Sequence, residues 1–131
     1  MNVKRFIIEA EPMGAPRMTQ SDKWKKRPCV MRYRDWKDKA RAAAGELPPV
    51  ETIQSVSWLA VFSTPKSWSK KKKAAAIDQL HRSKPDRDNI DKALLDALFP
   101  EDSGIAAGTL EKRWGIAERL EVEIVYTEEP R

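Results

Sequence analysis

The stretch KPDRDNIDKALLDALFPED, residues 84–102, governs how the whole chain is read. Its apolar residues Ile90, Ala93, Leu94, Ala97 and Leu98 recur at i, i+3, i+4, i+7 and i+8, the spacing of an amphipathic helix with one buried stripe. Pro85 disfavours helical backbone at Lys84, so the helix begins after it, and Pro100 marks its far end. Asp86 or Asp88 can cap the helix, where negative charge also suits the dipole.

Outward from this helix the patterns alternate. Val3–Glu9 reads as a short strand, and the Pro- and Gly-rich run that follows reads as a loop. Tyr33–Ala44 reads as a helix stopped by Gly45. Thr52–Ser63 reads as a strand with Val56, Trp58, Ala60 and Phe62 on one face. Residues 67–83, SWSKKKKAAAIDQLHRS, read as a helix capped by Ser67 or Ser69. Ile105–Trp114 and Leu120–Thr127 read as two closing strands joined near Gly115. The order β-α-β-α-α-β-β predicts an α+β fold: one small domain over residues 1–131, with a mixed β-sheet packed against helices.

Hydrophobic residues make up 40% of the 131-residue chain, enough for a core, so wholesale disorder is excluded. No apolar run approaches the roughly 20 residues of a membrane helix, and the N-terminal run is too short for a signal peptide. One cysteine, Cys29, cannot form an internal disulfide, and a cytoplasmic setting is expected. No P-loop or dinucleotide-binding glycine pattern occurs, so no nucleotide cofactor is expected.

The net charge is +5, unevenly spread. Residues 17–41 carry a balance of +7 and residues 66–92 one of +5, whereas residues 93–131 carry −5. Two basic zones fit a polyanion-binding protein, because Lys and Arg neutralise phosphates and release counterions. The plainer alternative is a solubilising surface. The Lys70–Lys73 run is a solvated face or a phosphate contact. Trp24, Trp36 and Trp68, in or beside the basic zones, are candidates for stacking on bases; Trp58 reads as core. His81, the only histidine, reads as a solvated residue at a helix end.

Against that basic background, residues 84–102 hold six acids: Asp86, Asp88, Asp91, Asp96, Glu101 and Asp102. Asp88, Lys92 and Asp96 fall at i, i+4 and i+8 and form a polar stripe. Asp86 and Asp88, two apart where the chain enters the helix, can point the same way, and Asp102 lies one short turn past its end. Converging carboxylates repel unless a hard divalent ion such as Mg²⁺ or Mn²⁺ lies among them. Such an ion polarises a phosphate and activates water, and a lysine one turn along adds positive charge to the transition state. The pattern D-x-D-N-x-x-K thus holds the parts for phosphodiester hydrolysis. The same residues also fit a purely structural role, with the aspartates as caps and Lys92 paired to Asp88 or Asp96 for about 0.2–0.5 kcal/mol.

KPDRDNIDKALLDAL, with the basic PKSWSKKKK segment before it and the K-R-W-G strand after it, resembles the RusA family of Holliday junction resolvases, small endonucleases of bacteria and their prophages. The resemblance implies a small α+β domain acting as a homodimer on four-way junction DNA, with Mg²⁺ or Mn²⁺ as cofactor and paired symmetric nicks as outcome. It places the metal-binding aspartates at Asp86, Asp88 and Asp102 and the essential lysine at Lys92. The acidic pair of the family is here Glu101-Asp102, and Gly104 stands where Gln is usual. Asn89 is expected to fix the helix start or to hydrogen-bond a residue that holds the metal. Phosphate contacts are expected from Arg17, Lys25, Lys26 and Arg27 in one zone and from Lys70, Lys71, Lys72, Lys73 and Lys84 in the other. The alternative is a module that binds junctions or other nucleic acid without cutting. An RNA-binding protein fits the charge but leaves the aspartates unexplained.

Overall fold

The computed structural model describes residues 1–16 and 27–128, apart from the side chain of Asp102. Within them lie β1 (Asn2–Ile8), α1 (Pro28–Ala44), β2 (Ile53–Ser63), α2 (Lys70–Ala76), α3 (Arg87–Leu98), β3 (Leu110–Gly115) and β4 (Arg119–Tyr126). Short 3₁₀ turns occupy Val50–Thr52 and Asp102–Gly104.

The strands form a mixed sheet in the order β1-β4-β2-β3. β4 runs antiparallel to β1, with Phe6 opposite Val122, and antiparallel to β2, with Val56 opposite Ile124. β3 runs parallel to β2, with Ala60 opposite Lys112. Alternation along the strands sends Ile8, Val56, Trp58, Ala60, Leu120, Val122 and Ile124 to one buried face. There they meet Tyr33, Trp36 and Ala40 of α1 and Ile90, Leu94 and Leu98 of α3 in one core. The apolar spacing read from residues 90–98 is therefore the stripe by which α3 lies on the sheet. The other face is mixed, with Val3 and Ile7 exposed on it beside Arg5, which pairs with Glu123 at 2.9 Å.

The α+β class and element order agree with the sequence, and two helix boundaries and one strand neighbour do not. α1 starts at Pro28 rather than Tyr33, since proline in the first turn has no N–H to lose there. It ends as expected at Gly45, whose φ of +63° suits glycine and whose N–H reaches the Arg41 carbonyl. α2 stops at Ala76, although Ser69 caps it as expected by accepting from the Lys72 N–H at 3.2 Å. The residues beyond turn away to pair with β3: Asp78 N–H donates to the Trp114 carbonyl and His81 N–H to that of Lys112. Finally, β3 and β4 are not neighbours, because β2 carries β3 on one side and β4 on the other. Ahead of β3, residues 107–109 already run along β2, where Val56 N–H donates to the Ala107 carbonyl and Trp58 N–H to that of Thr109. Gly108 permits this approach, since a Cβ there would collide with the Val56 carbonyl.

Candidate active site at the start of the third helix

Asp86 is the N-cap residue of α3, Asp88 lies in its first turn, and Lys92 follows one turn later; all three are exposed. Asp86 holds the position of a cap without acting as one, for its side chain makes no capping bond. Its Oδ2 instead accepts from Lys84 Nζ at 2.9 Å, in a pair open to solvent. Nor is Lys92 spent on the helix stripe: among the described residues it makes no ion pair. Asp96, the partner the stripe offered it, accepts instead from Tyr33 Oη at 2.8 Å and Lys37 Nζ at 3.3 Å. Among the described residues neither a capping bond from Asp86 nor an ion pair from Lys92 is formed.

Two depressions meet at this helix start. Asp88 lines a cleft of about 410 Å³ with Arg87, Asp91 and the wall formed by residues 105–110. Asp86 lines an open trough of about 1040 Å³ with Arg82, Lys84, Arg87 and Lys112. Arg87, Thr109 and Leu110 border both. Asp86 therefore stands at the edge of a cationic trough, and both carboxylates stand at the positive end of a helix, settings that favour negative ligands.

The surroundings are built by long-range contacts. Ala15 N–H donates to the Asn89 carbonyl at 3.4 Å, and Gly14 leaves room for the Asn89 amide, so Asn89 ties the loop after β1 to the helix start. Trp58 is core, as expected, and its Nε1–H also reaches Asp91 Oδ1 at 2.6 Å. Lys112, half-buried on β3, donates from Nζ to the carbonyls of Ser83 (2.7 Å) and Pro85 (2.8 Å). Burial, with Lys84 nearby, lowers its pKa against the pull of Asp86.

The other expected contacts divide. Lys70, Lys71 and Lys72 are exposed on α2 and Lys73 is half-exposed. Arg27 is the N-cap residue of α1. Arg17, Lys25, Lys26 and Trp24 lie outside the described residues, as does the side chain of Asp102, whose backbone opens the Asp102–Gly104 turn. Two readings are corrected. Trp36 is buried, with Nε1–H donating to the Glu11 carbonyl, so it offers no face to a base. His81 is not solvated: it is 5% exposed, stacked on Phe62 at 3.9 Å between ring centroids and against Trp114 at 4.2 Å. Trp68 is itself engaged by Trp114 at 5.0 Å and by the Lys72 ammonium at 4.2 Å. Arg82, Arg87 and Lys112 were missed as members of the site. Two of them lie in the same basic zone, but only the pairing of residues 78–81 with β3 brings the third to them.

The family model of endodeoxyribonuclease RusA matches residues 9–125. The chain belongs to the RusA family. The match runs from the end of β1 into β4 and takes in both aspartates, Lys92, the 105–110 wall and Lys112. No curated protein matches the chain. Among the described residues no helix is long and apolar enough to cross a membrane.

Proposed function

We propose that this RusA-family chain is a divalent-metal-dependent, structure-selective endonuclease that resolves four-way (Holliday) DNA junctions in recombination and repair. The observation that carries the reading is the pair Asp86 and Asp88 at the positive end of α3, with Asp86 free of capping duty and beside a cationic trough. The donor set suits Mg²⁺, with Mn²⁺ as substitute: the side chains are hard carboxylate oxygens, and the trough has room for the waters and phosphate oxygens such ions keep. Asp86 and Asp88 would hold the ion with Asp102 as third ligand. Once bound, it supplies polarisation of the phosphodiester and a lowered pKa for its water.

The chain's own residues do the remainder. Lys84 occupies Asp86 in the resting site through an exposed pair, which is weak and easily exchanged. Lys92 offsets the charge that develops on the phosphate during attack. Arg82 and Arg87, with the lysines of α2, grip the backbone through phosphates, contacts that position the DNA without reading its base sequence. Junctions have two-fold symmetry, so an isologous homodimer presents two sites and makes paired nicks in one encounter.

The test is cleavage of a synthetic four-way junction by purified protein, with and without Mg²⁺. Asp88→Asn is expected to lose at least 100-fold in rate while still binding the junction, since a missing ligand removes the ion's contribution to the transition state. Cleavage by Asp88→Asn at the wild-type rate refutes the assignment. Junction binding by the wild type without nicks at any Mg²⁺ or Mn²⁺ concentration identifies a non-catalytic binding module instead.

A further inference from the structure

We propose that Lys112 is a positioning residue of this site: its ammonium clamps the Ser83–Pro85 turn and thereby fixes Asp86 beside Asp88. The inference rests on the reading of these aspartates as metal ligands.

A lysine on the wall of a cationic trough would ordinarily serve as a phosphate contact. Lys112 is committed otherwise. An ammonium has three protons to give, and here one goes to the Ser83 carbonyl and another to the Pro85 carbonyl. Hydrogen bonds from a charged donor are about twice as strong as neutral ones. The Pro85 carbonyl belongs to the peptide that joins directly to Asp86. The backbone of the same residue holds the other end of the segment, since the Lys112 carbonyl accepts from His81 N–H at 3.0 Å. Residues 81–85 therefore hang from one residue of β3, a strand locked in register against β2. On its far side Asp86 is fixed by α3, whose Asn89 and Ile90 N–H groups donate to its carbonyl. Asp88 is placed by α3 alone. Without the clamp Asp86 keeps only its hold on α3 while Asp88 loses nothing, so their separation is less tightly set. Arg82 and Arg87 are exposed and remain available for phosphate.

The experiment compares wild type, Lys112→Met, Lys112→Arg, Asp86→Asn and the double variant K112M/D86N. It reads Mn²⁺ binding by calorimetry in the absence of DNA, and Mg²⁺ dependence and junction KM in cleavage. K112M is expected to bind Mn²⁺ about 10-fold or more weakly, the usual cost of removing a group that orients a ligand. Its cleavage should approach the wild-type rate at saturating metal with junction KM unchanged. K112R should recover most of the affinity, and the double variant should bind no more weakly than D86N. Wild-type Mn²⁺ affinity in K112M, or losses that add in full in the double variant, overturns the proposal while leaving the metal site standing. A wild type that neither binds Mn²⁺ nor cuts overturns the reading beneath it. Should K112M not fold, Lys112→Gln serves, and wild-type Mn²⁺ affinity in the folded K112Q overturns the clamp equally.

Discussion

His81 shows how much a single side chain owes to residues distant in sequence. Burial between Phe62 and Trp114, with the Lys112 charge adding to it, pushes its pKa below the ordinary 6.5, and the backbone hydrogen bond only partly restores it. The folded protein thus holds the imidazole neutral, while the unfolded chain takes up a proton near 6.5. Its contribution to stability is complete above that value and is lost as pH falls below it. Wild-type melting temperature should fall between pH 7.5 and 5.5, and His81→Phe, which keeps the stack and removes the proton, should flatten that part of the profile. An equal slope in both proteins would assign the effect elsewhere. The misreading of His81 has the same origin as its pKa: local pattern showed a histidine among cations at the end of a helical run, and the rings that bury it come from β2 and β3. Asp86, Asp88 and Lys92 can be picked out as candidates because their spacing is local to one helix and its first turn. Lys112 cannot, for its contacts with the Ser83 and Pro85 carbonyls exist only once β3 lies against the turn before α3.

Among elements, the seam between α1 and α3 holds the site's helix in place. Asp96 accepts from Tyr33 and Lys37, and Arg41 Nε donates to the Ala97 carbonyl at 2.8 Å. Burial raises the Asp96 pKa, but the bonds from Tyr33 and Lys37 outweigh it and hold the carboxyl below the ordinary 3.8. Tyr33, buried and bonded to that carboxylate, is correspondingly raised. Tyr33→Phe should cost about 1 kcal/mol in urea unfolding at pH 7. The Asp96 contribution is present above 3.8 and lost as pH falls through the lower folded value, so the penalty should shrink in acid. A penalty that does not change with pH would mean that the ring packing, not the bond, is what Phe disturbs. The seam also explains which elements could be read in advance. α3 and β4 carry full periodic patterns on one face and declared themselves. The start of α1 and the end of α2 did not, because a proline within a basic run looks like a loop and a lysine-alanine run looks like helix until β3 captures the residues after it. Strand order was beyond reach too: β3 and β4 are adjacent in sequence, and only the burial of β2 between them separates them in space.

For the molecule as a whole, the two surfaces differ in how their charges are matched. On the sheet face away from the helices Glu123 pairs with Arg5 and Glu121 with Arg119, whereas Arg82, Lys84 and Arg87 line the trough beside Asp86 and α2 exposes its lysines nearby in sequence. α2 buries none of its residues, so those lysines can be removed without touching the core. Lys72 is best left in place, since it covers Trp68. Replacing Lys70, Lys71 and Lys73 by alanine should therefore isolate phosphate binding from folding. Each phosphate contact contributes about 0.9 to the slope of log affinity against log salt, so the triple variant should lower that slope by up to about 3. Backbone contacts carry no information about sequence or branching, so the loss should be alike for a four-way junction and a linear duplex of equal length. Fluorescence anisotropy in EDTA, from 50 to 300 mM salt, measures both without cleavage. A triple variant with the wild-type slope would make α2 a solvated helix and leave phosphate contact to the trough. A loss confined to the junction would give α2 a part in recognising the branch itself, because only a surface that spans two arms can tell a crossing from a rod.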